Sequence, residues 1–467
     1  MMSTAMTNVI ATNRKTAILG MGATGLSAAR FLASIGDSFV FADSRSEPPR
    51  LQEVKDQYPE TPVVLGDFDR DLLAHMDRAL VSPGISLEEP ALVAARENGV
   101  ELIGDLELFL QHAKAPVIGI TGSNGKSTVT TLLGAMAEAS GLNVAVGGNL
   151  GVPMLDLLDD QHQLYVLELS SFQLELLNDS RGAIVALLNV SPDHMDRYAG
   201  LQQYHAAKHR IFRGASKAVV NRDDQLTKPL LSSDVELTSF GLNQPDLGEF
   251  GILEGLEQGY LARGIERLMP ISEVALKGTH NLANALAALA LGCAAGLPVQ
   301  AMCETLKTYR GLPHRCENVA EINGVLYIDD SKGTNLGATE AALEGFGSVE
   351  RKNLILIAGG QGKDQDFSGL QSTAAKYLKQ ALLLGQDAAQ IDRAIKHVCD
   401  TQLVDSMQSA VELAARVATA GDIVLLSPAC ASFDMFSGFE ERGLCFQRAV
   451  ANLPGAQQPE SGGQLCS

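Results

Sequence analysis

The chain has none of the devices that hold a secreted protein together. Its seven cysteines are scattered without a C-x-x-C pair, and an odd, unspaced set reads as reduced thiols in a cytosol. Positive charge is in deficit: 36 lysines and arginines face 55 acids, a net charge of −19 that repels polyanions. No basic run interleaved with aromatic residues offsets it, so nucleic acid is excluded as a partner. Long apolar runs are missing too. Residues 1–15 lack the apolar centre of a signal peptide, and the longest apolar stretch, 283–297, is too short for a membrane span. A cytoplasmic protein without membrane insertion is expected. At 467 residues the chain has room for two to four domains, each with its own core. The stretch from Leu453, with Pro454, Gly455, Gln457, Gln458, Pro459 and Gly462, reads as a disordered tail.

Thr121-Gly122-Ser123-Asn124-Gly125-Lys126-Ser127-Thr128 is the stretch that says most. The apolar run Val117-Ile118-Gly119-Ile120 before it predicts a strand. After it, Val129, Leu132, Leu133 and Met136 repeat at i, i+3, i+4 and i+7, predicting a helix that Gly141 closes. Strand, glycine loop, lysine, hydroxyl and helix make a nucleotide-phosphate cradle. Backbone N–H groups around Gly122, Asn124, Gly125 and Thr128 point at the anion, Lys126 reaches the outer phosphates, and the Ser127 hydroxyl holds Mg²⁺. One departure stands out. The usual G-x-x-x-x-G-K-[ST] wants glycine at position 120, where this chain has Ile120, with glycines at 119 and 122.

Ahead of the cradle, Thr16-Ala17-Ile18-Leu19 predicts a strand, Gly20-Met21-Gly22-Ala23-Thr24-Gly25 is a G-x-G-x-x-G turn, and Phe39-Val40-Phe41-Ala42-Asp43 predicts a second strand. Alone, this spells a Rossmann-like unit for a dinucleotide, with Asp43 near the spacing of an acid that binds a ribose hydroxyl. The other reading, which we prefer to a dehydrogenase, is that the glycines merely permit a tight turn and close helix packing. Ala79-Leu80-Val81-Ser82-Pro83-Gly84 is a further strand with a turn at its C-terminal end, where α/β sheets place ligands. Residues 111–116 look like a domain link.

Beyond the cradle, strands are predicted over 143–146, 164–169 and 183–190. Leu164-Tyr165-Val166-Leu167-Glu168 ends in a carboxylate, and a phosphate-loop enzyme needs an acid at a neighbouring strand end for Mg²⁺. Leu188-Asn189-Val190-Ser191-Pro192-Asp193-His194-Met195-Asp196 brings an imidazole and two acids to the same edge. A lone histidine is more often structural; this position favours function. Further on, Leu201, Tyr204, Lys208, Ile211 and Phe212 share one helical face, so Lys208 interrupts an apolar stripe. Burial drives an unpaired ammonium toward a neutral amine, and a neutral amine adds CO₂ to give a carbamate, a carboxylate-like metal ligand. The alternative is a snorkelling lysine whose stem packs while its head reaches water. The residues alone favour snorkelling.

The cradle, Leu167-Glu168-Leu169-Ser170-Ser171-Phe172-Gln173, Asp193-His194-Met195-Asp196-Arg197 and Lys208 stand in the order seen in Mur ligases, which build the peptide stem of peptidoglycan. Four later motifs agree: Thr279-His280-Asn281-Leu282-Ala283-Asn284-Ala285, Gly311-Leu312-Pro313-His314-Arg315, Asp330-Ser331-Lys332-Gly333-Thr334-Asn335 and Ser427-Pro428-Ala429-Cys430-Ala431-Ser432. From Ile18 to about Phe446 the chain resembles this family. Within it the chain is most similar to the branch that adds D-glutamate, because the glycine-rich first unit joins directly to the ATPase unit and Phe433, Phe439 and Arg442-Gly443 follow.

The resemblance implies an α/β fold of three domains: a Rossmann-like N-terminal domain over 1–114 for the UDP substrate, a P-loop ATPase-like central domain with a parallel sheet over 115–311, and a Rossmann-like C-terminal domain over 312–467 for the amino acid. Strands predicted over 353–358, 381–384 and 422–426, alternating with helical segments, fit the third. It implies ATP and Mg²⁺ as cofactors, UDP-N-acetylmuramoyl-L-alanine and D-glutamate as partners, a monomer, and an amide made through an acyl phosphate. Lys126, Glu168, His194, Lys208 and Lys332 would be catalytic, with one Mg²⁺ on Ser127 and Glu168 and a second on Glu168, His194 and an N6-carboxylated Lys208. Asn281 and Asn284, behind Thr279 as N-cap, resemble adenine contacts, Arg315 a phosphate contact and Asp330 the ribose contact. Ala23, Thr24, Asp43, Ser44, Ser82 and Gly84 would hold the UDP part; Asn149, Gln173 and His194 would hold the sugar and lactyl-alanine end. Thr334, Lys363, Ser432 and Phe439 resemble a D-glutamate pocket. Gly333 stands where alanine is frequent in relatives, and a more flexible loop around Lys332 is expected. Two rivals share the cradle: a folylpolyglutamate synthase, which has no need of the glycine-rich first unit, and a phosphate-loop kinase or regulatory ATPase, which has no use for the motifs after residue 330.

Overall fold

The computed structural model describes residues 14–456, apart from 232–233, 256–257, 277 and 364; the segment 1–13 and the tail from 457 lie outside the described residues. Order runs further than the composition predicts. Leu453 is buried, and the Ala456 N–H bonds to its carbonyl.

Five parallel strands, β1 (Lys15–Leu19), β2 (Ser38–Asp43), β3 (Val63–Leu65), β4 (Arg78–Val81) and β5 (Glu101–Ile103), form the first sheet in the order β3-β2-β1-β4-β5. β1 is buried after Lys15 and β4 throughout, as suits strands covered on both faces. A Cβ on Gly25 would lie 1.9 Å from the Gly20 carbonyl oxygen, so only glycine lets the Ala23–Ser34 helix start so close to the strand. The glycine turn thus has a packing reason of its own.

Nine strands form the second sheet: β6 (Val117–Thr121), β7 (Val144–Gly148), β8 (Leu164–Glu168), β9 (Ile184–Leu187), β10 (Lys217–Asn221), β11 (Glu236–Phe240), β12 (Phe250–Leu253), β13 (Tyr260–Arg263) and β14 (Glu266–Pro270), in the order β14-β13-β12-β11-β10-β9-β6-β8-β7. It is not wholly parallel, as expected, but mixed. β12, β13 and β14 pair antiparallel, and the two-residue turn Gly264-Ile265, with φ +55° at Gly264, reverses the chain between the last two.

The third sheet contains β15 (Glu317–Ile322), β16 (Val325–Asp329), β17 (Leu354–Ala358), β18 (Leu378–Leu383), β19 (Asp400–Leu403) and β20 (Ile423–Leu426), ordered β15-β16-β20-β17-β18-β19. All neighbours run parallel except β15 and β16, joined by Asn323-Gly324 with φ +53° and +76°. Asn-Gly at a hairpin is the residue pair that tolerates two left-handed positions.

The apolar cores divide unevenly. The first two sheets share one continuous cluster: the Asp105–His112 helix buries Leu106, Leu108, Phe109 and Leu110, and Phe109 meets Tyr165 of β8 edge to face at 5.1 Å. The third sheet keeps two clusters to itself, one on each face. The helix ends at His112 and β6 starts at Val117, so the expected link over 111–116 shrinks to four residues.

Candidate active site

The cradle follows directly from β6. Ile120 is fully buried in that strand, beside Glu168 on one side and Ala186 on the other, so the position where a longer phosphate loop has glycine belongs here to the sheet. The loop begins after Thr121. Asn189, just past β9, fixes it: Asn124 N–H donates to Asn189 Oδ1 at 2.8 Å, Asn189 Nδ2 donates back to the Asn124 carbonyl at 3.0 Å, and Ser123 N–H reaches the Asn189 carbonyl. Gly125 has φ +82° and opens the Lys126–Ala139 helix, whose Val129, Leu132, Leu133 and Met136 are all buried as their spacing predicts. A Cβ on Gly125 would come 2.4 Å from Asn284 Oδ1. Lys126 folds over its own loop, its Nζ donating to the carbonyls of Gly122 and Ser123 at 2.8 and 2.9 Å. Burial lowers its pKa, against the pull of Glu168 and Asp193.

Glu168 ends β8 next to the cradle and is 3% exposed. Ser127 Oγ donates to its Oε2, Asn149 Nδ2 donates to Oε1 at 2.7 Å, and Arg315 Nη2 reaches Ser127 Oγ at 2.6 Å. Burial opposes ionisation here, but Lys126, the two hydrogen bonds and Arg315 prevail and hold the carboxyl below its ordinary range. The result is an ionised carboxylate beside a hydroxyl, a hard all-oxygen donor pair of the kind Mg²⁺ takes. His194 adopts a left-handed φ of +56°, packs edge to face on Phe172 at 4.9 Å, and has its pKa lowered by burial. It is a neutral imidazole at pH 7, as a metal ligand must be.

Lys208 overturns the snorkelling reading. It is 1% exposed on the Leu201–His209 helix, with Tyr204, Ile211 and Phe212 buried around it. Its Nζ donates to the Gly122 carbonyl at 2.8 Å and lies 4.7 Å over the Tyr204 ring. The stem is too deep in the apolar stripe for the head to reach bulk water. Burial first, and Lys126 second, take its pKa well below that of an ordinary lysine.

The Thr279–Ala294 helix brings Asn281 and Asn284 to the cradle, Asn284 Nδ2 donating to Asn281 Oδ1 at 3.2 Å. Thr279 is not the N-cap expected for it. Gly278 holds that place, with φ +98° and no side-chain cap, so Thr279 already lies inside the first turn.

The third sheet delivers the remaining groups from the ends of its strands. Arg315 precedes β15, Asp330 and Lys332 follow β16, Lys363 follows β17, and Ser432 follows β20. With the cradle they enclose a cavity of ≈ 1160 Å³, whose lining includes Asn124, Gly125, Lys126, Ser127, Thr128, Asn149, Glu168, His194, Lys208, Asn281, Asn284, Arg315, Asp330, Lys332, Thr334, Lys363, Ser432 and Phe439. Burial lowers Lys332 to about 8, helped by Arg315, and its Nζ lies 3.9 Å over the Phe439 ring. The loop that carries it is not loose, as Gly333 alone predicts. Lys332 N–H bonds to the His314 carbonyl, Gly333 N–H to the Asp330 carbonyl, and the Gly333 carbonyl accepts from Ala429. A Cβ at 333 would lie 2.6 Å from Asp330 Oδ2, so the glycine makes room for the bond from Ser427 Oγ to that oxygen.

The residues expected at the UDP end stand apart from this cavity. Ala23 and Thr24 open the first helix, and Asp43, Ser44, Ser82 and Gly84 sit at or just past the C-terminal ends of β2 and β4. Ser82 Oγ is buried without a hydrogen-bond partner among the described residues. Asp43 is committed elsewhere, accepting from Met21 N–H at 2.7 Å and pairing with Arg45. Gln173 closes a capping box with Ser170 and donates to Asp105 at 3.2 Å, and neither it nor Gly122 lines the cavity.

Two residues had no role in the sequence reading. Asn335 caps the Leu336–Phe346 helix with Oδ1 and sends Nδ2 across to Asn124 Oδ1 at 3.3 Å and Asp193 Oδ2 at 3.2 Å. Arg197 donates to the Gly84 and Ile85 carbonyls and pairs with Glu175, tying the first sheet to the second. Both lie inside quoted motifs, but a motif does not say which member spans a domain boundary. His314, Glu317 and Asp329 form the single trio of acidic or imidazole side chains close enough to share a cation among the described residues. Their facing atoms are already bonded to one another and to Gln447, so the trio is a structural brace.

Three family models match the chain in order: Mur ligase MurD-like, N-terminal domain, over residues 14–104; Mur ligase middle domain over 120–292; and Mur ligase, glutamate ligase domain, over 314–430. The chain belongs to the Mur ligase family. Its curated Mur ligase relatives include the UDP-N-acetylmuramoylalanine--D-glutamate ligases of Pseudomonas syringae pv. tomato, 53% identical, and Pseudomonas aeruginosa, 50% identical; each match covers 96% of this chain and all of the relative. Among solved structures, the MurF ligase of Thermotoga maritima in complex with ADP shares the fold with a TM-score of 0.57 at 16% identity, covering 95% of this chain and 99% of that one. Mur ligases are ATP-dependent.

Proposed function

We propose that this chain is an ATP-dependent amide ligase that joins D-glutamate to UDP-N-acetylmuramoyl-L-alanine, a step of peptidoglycan precursor synthesis in the cytoplasm. The carrying observation is the convergence of Lys126, Glu168, His194 and Lys208 from one sheet with Arg315, Lys332 and Lys363 from another on a single cavity. The identity of about 50% to D-glutamate ligases over the whole chain supports the substrates.

The reaction joins anions. An oxygen of the substrate carboxylate attacks the γ-phosphorus of ATP, the bond from that phosphorus to the β,γ-bridging oxygen breaks, and ADP leaves. The D-glutamate amine then attacks the carbonyl carbon of the acyl phosphate; phosphate leaves from the tetrahedral intermediate, the amine proton is lost, and the amide remains. Carboxylate and triphosphate repel by about 4 kcal/mol per unit pair at 4 Å, taking an effective dielectric constant of about 20. Lys126, Arg315 and Lys332 offset this, and their fixed positions act on the charge as it moves. Ser127 and Glu168 fit one Mg²⁺, and Glu168, His194 and N6-carboxylated Lys208 a second; bound there, the ions would neutralise phosphate oxygens. Holding three substrates together contributes up to about 7 to 11 kcal/mol through proximity. Asn281, Asn284 and Asp330 hold adenosine, Thr334, Lys363, Ser432 and Phe439 hold D-glutamate, and the orphan Ser82 hydroxyl belongs to the UDP site with Ala23, Thr24, Asp43, Ser44 and Gly84. Asn149 and His194 line the cavity and would meet the sugar and lactyl-alanine end, and Gln173 would have to release Asp105 to join them. On the same reading the domain bounds are 1–114, 115–311 and 312–467 and the working unit is a monomer.

The test is a coupled assay of phosphate release with ATP, Mg²⁺ and UDP-N-acetylmuramoyl-L-alanine across a panel of amino acids. Release should depend on D-glutamate and on no other member. Release with folate substrates, or tight NADH binding with no affinity for the sugar nucleotide, contradicts the reading.

A further inference from the structure

Two histidines stand one turn apart on the Leu201–His209 helix and take no part in the site above. The His205 and His209 rings lie with centroids 3.9 Å apart and planes tilted by 38°. Their Nε2 atoms converge on one backbone atom, the Leu226 carbonyl oxygen, at 2.9 and 2.7 Å. The i, i+4 spacing on a helix is what puts both rings over the same point.

We propose that His205 Nε2, His209 Nε2 and the Leu226 carbonyl oxygen form a binding site for a divalent late first-row transition metal of square or octahedral preference, such as Ni²⁺ or Cu²⁺. The distances carry this. In a square or octahedral site two neighbouring ligands about 2.1 Å from the metal lie about 3.0 Å apart, and the two nitrogen-to-oxygen separations match that edge to within a few tenths of an ångström. Two edges of a coordination corner, from the shared oxygen to each nitrogen, are already in place. Two imidazoles select late transition metals over Mg²⁺, which prefers oxygen throughout. The site therefore differs in chemistry from the oxygen-rich pair at Ser127 and Glu168. Both rings now donate Nε2–H to the carbonyl. On binding, each ring proton moves to Nδ1, the Nε2 lone pairs turn to the metal, and water fills the remaining positions.

The surroundings favour a cation. Asp224, two residues before Leu226, accepts from the Leu226 N–H at 2.9 Å and adds negative charge beside the site. Its other oxygen accepts from Val190 N–H at 2.8 Å, on the segment that leads to Asp193 and His194. A metal here would clamp the helix that carries Lys208 to the turn that braces this segment.

Ni²⁺ titrated calorimetrically into the full-length chain, with Mg²⁺ present throughout, tests the assignment. A one-to-one event of micromolar or tighter affinity is expected. His205→Gln and His209→Gln should each weaken it about tenfold or more; glutamine keeps an N–H for the Leu226 carbonyl, so the turn stays anchored and melting temperatures should hardly move. Equal affinity in the parent chain and both variants, or no binding at micromolar metal, overturns the proposal.

Discussion

Lys208 shows how burial alone can change what a residue does. An amine 1% exposed, facing the Gly122 carbonyl and the Tyr204 ring with Lys126 nearby, favours its neutral form, the form that adds CO₂. Its stripe was legible in the sequence, but its depth was not, because depth depends on the phosphate loop packed over it from 86 residues away. Lys208→Ala should lower kcat by about a hundredfold or more in the phosphate-release assay, in line with losing one charge-stabilising group. Bicarbonate should restore nothing to it, and near-normal turnover would remove the carbamate role. Asp330 makes the opposite move. Burial, only partly countered by Ser427 and Arg315, raises its carboxyl to about 7. The folded chain therefore holds this proton more tightly than the unfolded one. That contribution to stability is complete below about pH 4 and is lost as pH rises through 7. Asp330→Asn, which never ionises, should match the parent melting temperature near pH 4 and exceed it at pH 8 without nucleotide. Thermal scans showing no difference at pH 8 would contradict this.

At the scale of elements, periodicity was the reliable guide and irregularity was not. The cradle helix carries an apolar period, the strand ending in Glu168 an unbroken apolar run, and the helix bearing Lys208 a narrow apolar stripe, and each lies where its sequence puts it. The strand before Lys332 was legible as Val325-Leu326-Tyr327-Ile328, but the β12–β14 extension and β15 were not: their strands have only four to six residues and mixed faces, although Asn323-Gly324 is a hairpin signal in plain view. Site residues were legible as motif members and illegible as geometry. Nothing local in Asn335 says that it reaches Asn124, and nothing in Gly125 says that Asn284 fills the space its side chain would need. The second point makes a prediction. Gly125→Ala combines a left-handed backbone with a Cβ 2.4 Å from Asn284 Oδ1. ATP affinity measured by calorimetry should fall about tenfold or more; unchanged affinity would mean that the loop does not hold the phosphates.

The three domains meet in two different ways. The first and second sheets share an apolar core through Phe109 and Tyr165, whereas the third has its own core and meets the second across polar contacts: Arg315 with Ser127, and Asn335 with Asn124 and Asp193. Apolar packing resists separation, while polar contacts exchange with water at little net loss. The third domain is thus expected to be the part that opens for substrates, and scattering curves that do not change when nucleotide binds would contradict this. The central claim is that the closed cavity moves phosphate onto a carboxylate before the amide forms. UDP-N-acetylmuramoyl-L-alanine labelled with oxygen-18 in its carboxylate tests it directly. In a full turnover with ATP and D-glutamate, mass spectrometry of the released phosphate should find one labelled oxygen, handed over when the acyl phosphate breaks; phosphate free of label, with amide formed, would contradict the account.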